Sequence, residues 1–157
     1  MAEHASRIGY NVKSIIVWAK TNSVPDPQTS RVSRSIEYII HLSKGRTPKF
    51  NKEAYRTTEQ KLGGRDATRE VDKATDVWHI SPSAGRDGHG AQFPTALPGR
   101  CIALSTDPGD LVLDPFIGAG TTGVAALLLG RRVIGFDVSD DYLDLARSRM
   151  KAVEVSK

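Results

Sequence analysis

Two short stretches in the first third of the chain are rich in β-branched and aromatic residues. Ser14 to Lys20 reads SIIVWAK, and Ile36 to Ser43 reads IEYIIHLS. Because such residues fit the pleated surface of a sheet, both stretches are predicted as strands. The segment between them, Thr21 to Ser35, is rich in proline, serine and threonine, which predicts a long surface loop.

The segment from Lys44 to Lys73 has only scattered apolar residues among alternating charges. It offers no face on which a core could form, so we expect it to be exposed. Residues 52–75 are therefore interpreted as an insertion or linker. Residues 76–98 carry no clear period and are predicted to be irregular.

The clearest pattern begins after Asp110. Leu111 to Leu113 is an apolar strand, Thr121 to Leu129 is an apolar helix bounded by glycines, and Val133 to Phe136 is a second strand. A strand, a helix and a strand within about 30 residues form a βαβ unit with parallel strands. The chain is therefore predicted to be α/β.

A last helix is predicted to begin at Ser139, a good N-cap residue. Its charges match the helix dipole, with acidic residues in the first turn and Arg147, Arg149 and Lys151 towards the end. Its apolar residues recur at helical spacing and predict one buried stripe: Leu143, Ala146, Met150 and Val153.

The 157 residues have the length of one ordinary domain, and the net charge of +4 is unevenly placed. Residues 1–76 hold 14 Lys and Arg against 9 Asp and Glu, which favours a polyanionic partner for that half. The polar start of the chain does not resemble a signal peptide, and six residues form the longest apolar run, so we expect a cytoplasmic protein without a membrane span. Cys101, the single cysteine, is interpreted as a small buried hydrophobe.

A glycine-rich turn, Gly118 to Gly123, lies where the first strand of the βαβ unit ends and its helix begins. Parallel α/β folds bind ligands at this place, because the backbone can approach a ligand and the helix start presents free N–H groups. Asp137 ends the second strand, where a carboxylate can accept hydrogen bonds from ribose hydroxyls. The pattern therefore predicts a nucleoside ligand.

The same glycines also match G-x-G-x-x-G, the pattern of nicotinamide dinucleotide sites. Two features argue against a dinucleotide. Asp114 at the strand end would repel a pyrophosphate but would hold the ammonium of a methionine moiety. In addition, only twenty residues follow Asp137, too few for the second half of a dinucleotide-binding sheet. S-adenosylmethionine is therefore the predicted cofactor.

Several motifs, in order, resemble the permuted amino-methyltransferases of restriction-modification and phage systems, which methylate the exocyclic amine of adenine or cytosine in DNA. HGAQFP at residues 89–94 resembles the motif beside the methionine end of the cofactor. DPFIGAGTT at residues 114–122 resembles the main cofactor loop, and GFDVSDDY at residues 135–142 the ribose segment. VWAKTNSVP, RVSRSIEYIIHLSK and Phe50-Asn51 resemble upstream parts of the same family.

The resemblance implies a partial Rossmann-like methyltransferase fold in one incomplete domain. Residues 1–51 would form a strand pair with a loop, residues 52–75 a small target-recognition insertion, and residues 76–157 the cofactor-binding βαβ part. It implies Asp114 at the amino group of S-adenosylmethionine, Asp137 at the ribose and the glycine-loop backbone at the carboxylate. The full set of implied cofactor residues is Phe93, Pro94, Asp114, Phe116, Gly118, Gly120, Thr121, Thr122 and Asp137.

The family's catalytic segment has a short Asp, Asn or Ser followed by Pro-Pro and an aromatic residue, which holds the amine and stacks on the flipped base. The eight prolines of this chain are all isolated, so we expect no catalytic residue within it. The resemblance implies that this segment, with strands of the sheet, lies upstream. A truncated gene product, or one half of a split enzyme completed by an upstream polypeptide, is the resulting hypothesis.

Three functions stay open on the sequence: a site-specific DNA methyltransferase that needs the missing part, a non-catalytic cofactor- or DNA-binding remnant or regulatory subunit, and a nicotinamide-dependent oxidoreductase. For the first, double-stranded DNA is the expected partner, with phosphate contacts from Arg31, Arg34, Arg56, Arg65 and Arg69. The histidines are too scattered for a metal site.

Overall fold

The computed structural model describes residues 2–22, 30–53, 75–83 and 93–155. Their contacts divide these residues into two compact units. The first contains the described residues up to 49 together with residues 75–82, and the second contains residues 50–53, 83 and 93–155.

The first unit is a three-stranded sheet preceded by a short helix, α1 (Ala2–Arg7). Its strands are β1 (Asn11–Ala19), β2 (Ile36–Ser43) and β3 (Val77–His79), in the order β2-β1-β3. β1 and β2 are antiparallel, and β3 runs parallel to β1. The two strands predicted from the sequence are confirmed, and β1 begins three residues earlier than expected.

Two tryptophans form the centre of this unit. Trp18 and Trp78 are register partners on β1 and β3, and both are buried. The indole N–H of Trp18 donates to the carbonyl of Ile80 at 2.8 Å, and that of Trp78 donates to the carbonyl of Thr75 at 2.9 Å. Both rings therefore pack in the core with their polar atoms satisfied.

β3 differs from the sequence prediction, which left residues 76–98 irregular and grouped them with the C-terminal part. A strand of three residues has too short an alternation to be read from its own sequence. It exists because Val77, Trp78 and His79 pair with Val17, Trp18 and Ala19 of β1. The long-range ladder, and not the local pattern, decides this segment.

The second unit contains the predicted βαβ arrangement. In chain order it consists of α2 (Ala96–Ser105), β4 (Leu111–Asp114), α3 (Thr121–Leu128), β5 (Arg132–Gly135) and α4 (Asp140–Val155). β4 and β5 are parallel and pair from Leu111 with Arg132 to Asp114 with Gly135. The α/β class and the strand, helix and strand order are confirmed.

The helix α2 falls in sequence that gave no helical prediction. It contains Pro98 and Gly99, which are poor helix formers. Pro98 is tolerated because it lies in the first turn, where backbone N–H groups have no partner within the helix. Ile102 and Ala103 of α2 join α3 residues in the core, so tertiary packing stabilises this helix.

One core cluster holds this second unit together. Small and branched side chains of α2 and α3 pack closely, and one face of the β4–β5 pair covers them through Val112 and Val133. The cluster consists of Ile102, Ala103, Ala125, Ala126 and Leu129. The small size of the alanines allows the two helices to approach each other.

The other face of the β4–β5 pair is exposed and, apart from Arg132 opposite Leu111, apolar. Leu113 is 63% exposed and its register partner Ile134 46%, and Leu111 and Phe136 continue the same alternation. We call this surface, Leu111, Leu113, Ile134 and Phe136, the open face. Parallel strands are normally covered on both sides, so an exposed apolar face of this kind marks a surface that another element covers.

The last helix, α4, begins as predicted. Ser139 precedes it, and its hydroxyl oxygen accepts a hydrogen bond from the backbone N–H of Tyr142 at 3.4 Å. Ala146 of the predicted apolar stripe is buried. Among the described residues of the chain, no helix has both the length and the apolar character needed to cross a membrane.

Arg131 is a buried cation that ties two helix ends together. Its guanidinium donates to the carbonyl of Leu129 at 2.5 Å, to the carbonyl of Thr106 at 2.6 Å and to the hydroxyl of Thr106 at 3.0 Å. Thr106 follows α2, and Leu129 follows α3. The side chain thus satisfies carbonyls that the helices themselves leave without a partner.

We predict that Arg131→Met lowers the free energy of unfolding by about 2–4 kcal/mol, because it leaves buried carbonyls without donors. The matched control is Arg132→Met, since Arg132 is exposed and donates to one carbonyl, that of Gly109. The control should cost less than about 1 kcal/mol. Urea unfolding measures both, and equal losses would contradict the structural role given to Arg131.

Candidate functional site

The parallel ladder brings the ends of two strands to one edge. Asp114 ends β4 and pairs with Gly135 at the end of β5. The ladder continues one step further, because the backbone N–H of Phe136 donates to the carbonyl of Asp114 at 3.0 Å. Asp137 follows directly, so the two aspartates predicted from the sequence lie at the same carboxyl edge of the sheet.

Asp137 holds the glycine loop that connects β4 to α3. Its Oδ2 accepts the backbone N–H of Gly118 at 2.9 Å, and its Oδ1 accepts that of Ser139 at 3.0 Å. A carboxylate has about four lone-pair sites, so two remain for a ligand. The structure therefore presents Asp137 as a fixed acceptor at the start of α4.

Asp114 is half-buried, and its Oδ1 accepts the backbone N–H of Phe116 at 3.0 Å. This bond closes a tight turn directly after β4. The ring of Phe116 is 86% exposed. The loop thus combines a partly buried carboxylate with an aromatic ring that faces solvent.

The two loop glycines adopt left-handed backbone conformations, with φ of 49° at Gly118 and 84° at Gly120. A Cβ built on Gly118 meets nothing within 4 Å, so space remains there for a ligand. A Cβ on Gly120 would lie 2.8 Å from Cα of Ala146 in α4. The sequence predicts both glycines at the cofactor, which stays a prediction, and the structure adds a helix-packing requirement at Gly120.

The first turn of α3 offers backbone N–H groups. Gly120 is its N-cap and supplies no side-chain hydrogen bond, as expected for glycine. Thr121 is buried and Thr122 half-buried in this turn. A helix start of this kind is suited to an anionic group such as a carboxylate.

Phe93 and Pro94 lie just before α2. Phe93 is partly exposed, Pro94 is half-buried, and the Pro94 carbonyl accepts the N–H of Leu97 at 3.0 Å. The core contacts of α2 with α3 are made further along, at Ile102 and Ala103. These contacts do not by themselves bring Phe93 to the glycine loop, so its role at the cofactor stays a prediction.

The predicted DNA-facing residues belong to other parts of the chain. Arg31 and Arg34 are exposed residues of the first unit. Arg56, Arg65 and Arg69 lie outside the described residues, as do residues 54–74 of the predicted insertion and residues 89–92 of the HGAQFP motif. Within the described ranges no group of three or more metal-binding side chains occurs.

Two titratable side chains outside the loop have shifted pKa values. Burial raises the pKa of the Cys101 thiol to about 11, so the thiol stays protonated at neutral pH and is not a nucleophile. Burial, and then the charge of Lys13, lowers the pKa of His41. These shifts follow from packing and agree with the structural interpretation of Cys101.

Two residues at the loop were missed from the sequence. Ile117 is buried and packs against Gly135. A Cβ added to Gly135 would lie 2.8 Å from the Cβ of Ile117. Arg149 of α4 donates to the carbonyl of Ala119 at 2.8 Å. The apolar side chain inside a glycine turn was a signal for Ile117, but no local signal distinguishes Arg149 from the other basic residues of α4.

The polar groups at the carboxyl edge of the β4–β5 pair limit the ligands that this site can bind. Two carboxylates at neighbouring strand ends can hold an ammonium and a diol, and a helix start can hold a carboxylate. The open space at Gly118 lies between these groups along the chain. S-adenosylmethionine carries all three of these ligand groups, so the donor and acceptor set fits it.

A family model described as DNA methylase matches residues 1–148. The chain belongs to this family. Its members are N6 or N4 DNA methyltransferases that use S-adenosylmethionine, which confirms the predicted cofactor and the resemblance to an amino-methyltransferase.

Curated relatives of the DNA methylase family match over nearly the whole chain. Type II methyltransferase M.Cfr9I of Citrobacter freundii is 35% identical over 148 residues, which are 94% of this chain and 47% of the relative. M.SmaI of Serratia marcescens is 34% identical over 142 residues, 90% of this chain and 47% of the relative. The chain therefore spans about half the length of these relatives and corresponds to a C-terminal portion of the enzyme.

Solved structures of DNA methyltransferases are similar in fold to this chain. The complex of M1.HpyAVI with S-adenosylmethionine matches with a TM-score of 0.73 and 25% identity, covering 95% of this chain and 67% of that one. A putative DNA modification methylase of Thermus thermophilus, complexed with S-adenosylmethionine, matches at 0.68 and 27%, covering 97% and 58%. The cytosine-N4-specific PvuII DNA methyltransferase, at 0.74 and 22%, covers 98% and 58% and supports the fold alone. The predicted partial methyltransferase fold is confirmed.

We predict that Gly120→Ala destabilises the chain by about 2–4 kcal/mol, because it adds left-handed strain to a clash with the backbone of α4. Gly130→Ala, at the other end of α3, is the matched control. Its φ is 76°, but an added Cβ meets nothing within 4 Å, so strain alone should cost about 1 kcal/mol. Urea unfolding compares the two, and a Gly120 variant no less stable than the control would contradict this packing.

Proposed function

We propose that the chain is the cofactor-binding portion of a site-specific DNA methyltransferase, which transfers a methyl group from S-adenosylmethionine to the exocyclic amine of adenine or cytosine. One observation carries this proposal. The carboxyl edge of the β4–β5 pair holds Asp114 and Asp137 on either side of a glycine loop that leads into a helix start. Membership of the DNA methylase family supports the same interpretation.

The residues at this edge would each bind a different part of the cofactor. Asp137 would accept the ribose hydroxyls through the lone pairs that Gly118 and Ser139 leave available. Asp114 would hold the ammonium of the methionine moiety, and the backbone at the start of α3 would receive its carboxylate. Phe116, Thr121 and Thr122 would line the loop, and Phe93 and Pro94 the methionine side. The bound cofactor supplies the reactive methyl group on a sulfonium.

Methyl transfer to an aromatic amine also needs acceptors that draw its lone pair out of the ring. The family provides them in its Pro-Pro-aromatic segment. No two prolines are adjacent in this sequence, and the Asp114-Pro115 pair belongs to the cofactor loop. We therefore infer that the chain is inactive alone and that an upstream polypeptide supplies the catalytic segment.

The open face supports this need for a second part. The β4–β5 pair presents an apolar surface made of Leu111, Leu113, Ile134 and Phe136. In a complete parallel α/β sheet, helices cover such a face. The chain spans about half of its curated relatives. An upstream polypeptide that covers this face would bury apolar area and bring the catalytic segment to the cofactor edge.

Double-stranded DNA is the proposed substrate. Arg31 and Arg34 are exposed and would contact phosphates, which position a protein on DNA without reading its sequence. Residues 52–75, with Arg56, Arg65 and Arg69, stay the proposed target-recognition insertion. A cytoplasmic location, expected from the sequence, also stays a prediction.

A non-catalytic remnant or regulatory subunit is the second candidate, and the isolated prolines favour it. Such a protein would bind the cofactor or DNA but would not support transfer even when the catalytic segment is added. A nicotinamide-dependent oxidoreductase has no support from the family membership.

We predict that calorimetry detects binding of S-adenosylmethionine and not of NAD. Asp114→Asn and Asp137→Asn should each weaken that binding by about ten- to a hundredfold, because each removes the charge of an acceptor. Asp140→Asn is the control, since Asp140 is an exposed first-turn residue of α4. Binding of NAD in place of S-adenosylmethionine would overturn the proposal.

We predict that transfer of labelled methyl groups to duplex DNA requires an added polypeptide. The probe is the part of the Citrobacter freundii relative that this chain does not span, mixed with the chain. Leu111→Lys should lower transfer by the mixture at least about tenfold by placing a second positive charge beside Arg132 on the open face, while binding of S-adenosylmethionine stays unchanged. Transfer by the chain alone would contradict the inference that a second polypeptide supplies the catalytic segment. No transfer by the chain or by the mixture would favour the non-catalytic remnant.

A further inference from the structure

Three residues of α4 contact the glycine loop and the start of α3. Ala146 lies against Gly120, and Met150 lies where a Cβ on Gly123 would be. Arg149, between them in sequence, donates to the carbonyl of Ala119. Positions 146, 149 and 150 follow the i, i+3, i+4 spacing of one helix face. α4 therefore has a continuous contact surface for the loop.

The contact from Arg149 falls on a particular peptide group. Its Nη1 donates to the Ala119 carbonyl at 2.8 Å, and the N–H of the same peptide, that of Gly120, donates to the carbonyl of Ile117 at 2.9 Å. Both polar ends of the Ala119–Gly120 peptide are thus held. This peptide leads into the N-cap residue Gly120, so its orientation helps to set the direction of the first N–H groups of α3.

The loop is held by opposite charges from one segment of chain. The Asp137 carboxylate accepts the N–H of Gly118, and the Arg149 guanidinium donates to the carbonyl of Ala119. Hydrogen bonds to charged groups are about twice as strong as neutral ones. An anion therefore fixes the Ile117–Gly118 peptide, and a cation fixes the Ala119–Gly120 peptide two positions further along the loop.

The helix dipole does not explain the position of Arg149, because α4 continues to Val155 and, contrary to the sequence prediction, its last turn holds no basic residue. Arg147, on the same helix, pairs with Asp144 in an exposed ion pair. Arg149 is half-buried and reaches 30 residues back along the chain to the loop. The two arginines are thus alike in charge and lie on the same helix. They differ in their contacts, because Arg147 pairs with an exposed carboxylate and Arg149 donates to a loop carbonyl.

We propose that Arg149 is a positioning residue of the cofactor site, which fixes the Ala119–Gly120 peptide so that the start of α3 meets the methionine carboxylate. This inference rests on the proposed function, because it assigns that carboxylate to the helix start. Arg149 acts through the backbone and need not touch the cofactor. Its effect is therefore specific to the amino-acid end of the ligand.

The experiment uses the full chain and two ligands, S-adenosylmethionine and 5′-methylthioadenosine, which lacks the amino-acid end. In calorimetry, Arg149→Ala should raise the dissociation constant for S-adenosylmethionine about tenfold and that for 5′-methylthioadenosine less than about twofold. Arg149→Lys should recover part of the loss, because an ammonium can still donate to the Ala119 carbonyl. Arg147→Ala should bind both ligands as the unaltered chain does.

A purely structural role for Arg149 would weaken both ligands equally, and that result overturns the proposal. Unchanged binding of S-adenosylmethionine by the alanine variant overturns it too, while leaving the proposed function intact. Failure of the unaltered chain to bind S-adenosylmethionine would instead count against the proposed function and this inference together. If Arg149→Ala does not fold, Arg149→Lys and Arg149→Gln carry the same ligand comparison.

Discussion

Asp137 accepts backbone N–H groups from Gly118 and Ser139, and these two hydrogen bonds join the glycine loop, the end of β5 and the start of α4. The parallel ladder makes this possible, because it places the ends of β4 and β5 at one edge. A carboxylate fixed by two amides keeps its remaining lone pairs in a set direction. The same side chain thus organises the loop and keeps acceptor lone pairs in a fixed geometry, which is the kind of pre-organisation that the proposed cofactor site would use.

Close packing of α4 on the loop is the second constraint. Gly120 and Gly123 leave no room for a Cβ beneath Ala146 and Met150. At Gly120 the neighbour is the backbone of Ala146, which cannot relax as a flexible side chain can, so this position tolerates little change. At Gly123 the neighbour is the side chain of Met150. The glycine pattern therefore leaves open space at Gly118 and allows α4 to approach at Gly120 and Gly123.

The second unit has a well-packed core on one side of its sheet and apolar side chains exposed on the other. Val112 and Val133 pack on the helices, while Leu113 and Ile134 face away. A parallel pair of strands with one bare apolar face is an incomplete layer by the ordinary rules of α/β folds. This agrees with a chain that spans about half the length of its curated relatives.

The amino-acid sequence by itself determined the elements with a clear local period: β1, β2, the β4–α3–β5 unit and the capped start of α4. It also placed Asp114 and Asp137 at strand ends, because a parallel pair brings carboxyl ends together whatever surrounds it. Tertiary structure alone decided β3 and α2, whose sequences are too short or too poor in helix formers to specify themselves. It likewise decided the roles of Arg131 and Arg149, since a basic side chain carries no local signal of the carbonyl it will reach. Periodicity is a property of neighbouring residues, whereas these contacts join positions 25 and 30 residues apart, and only the folded chain brings them together.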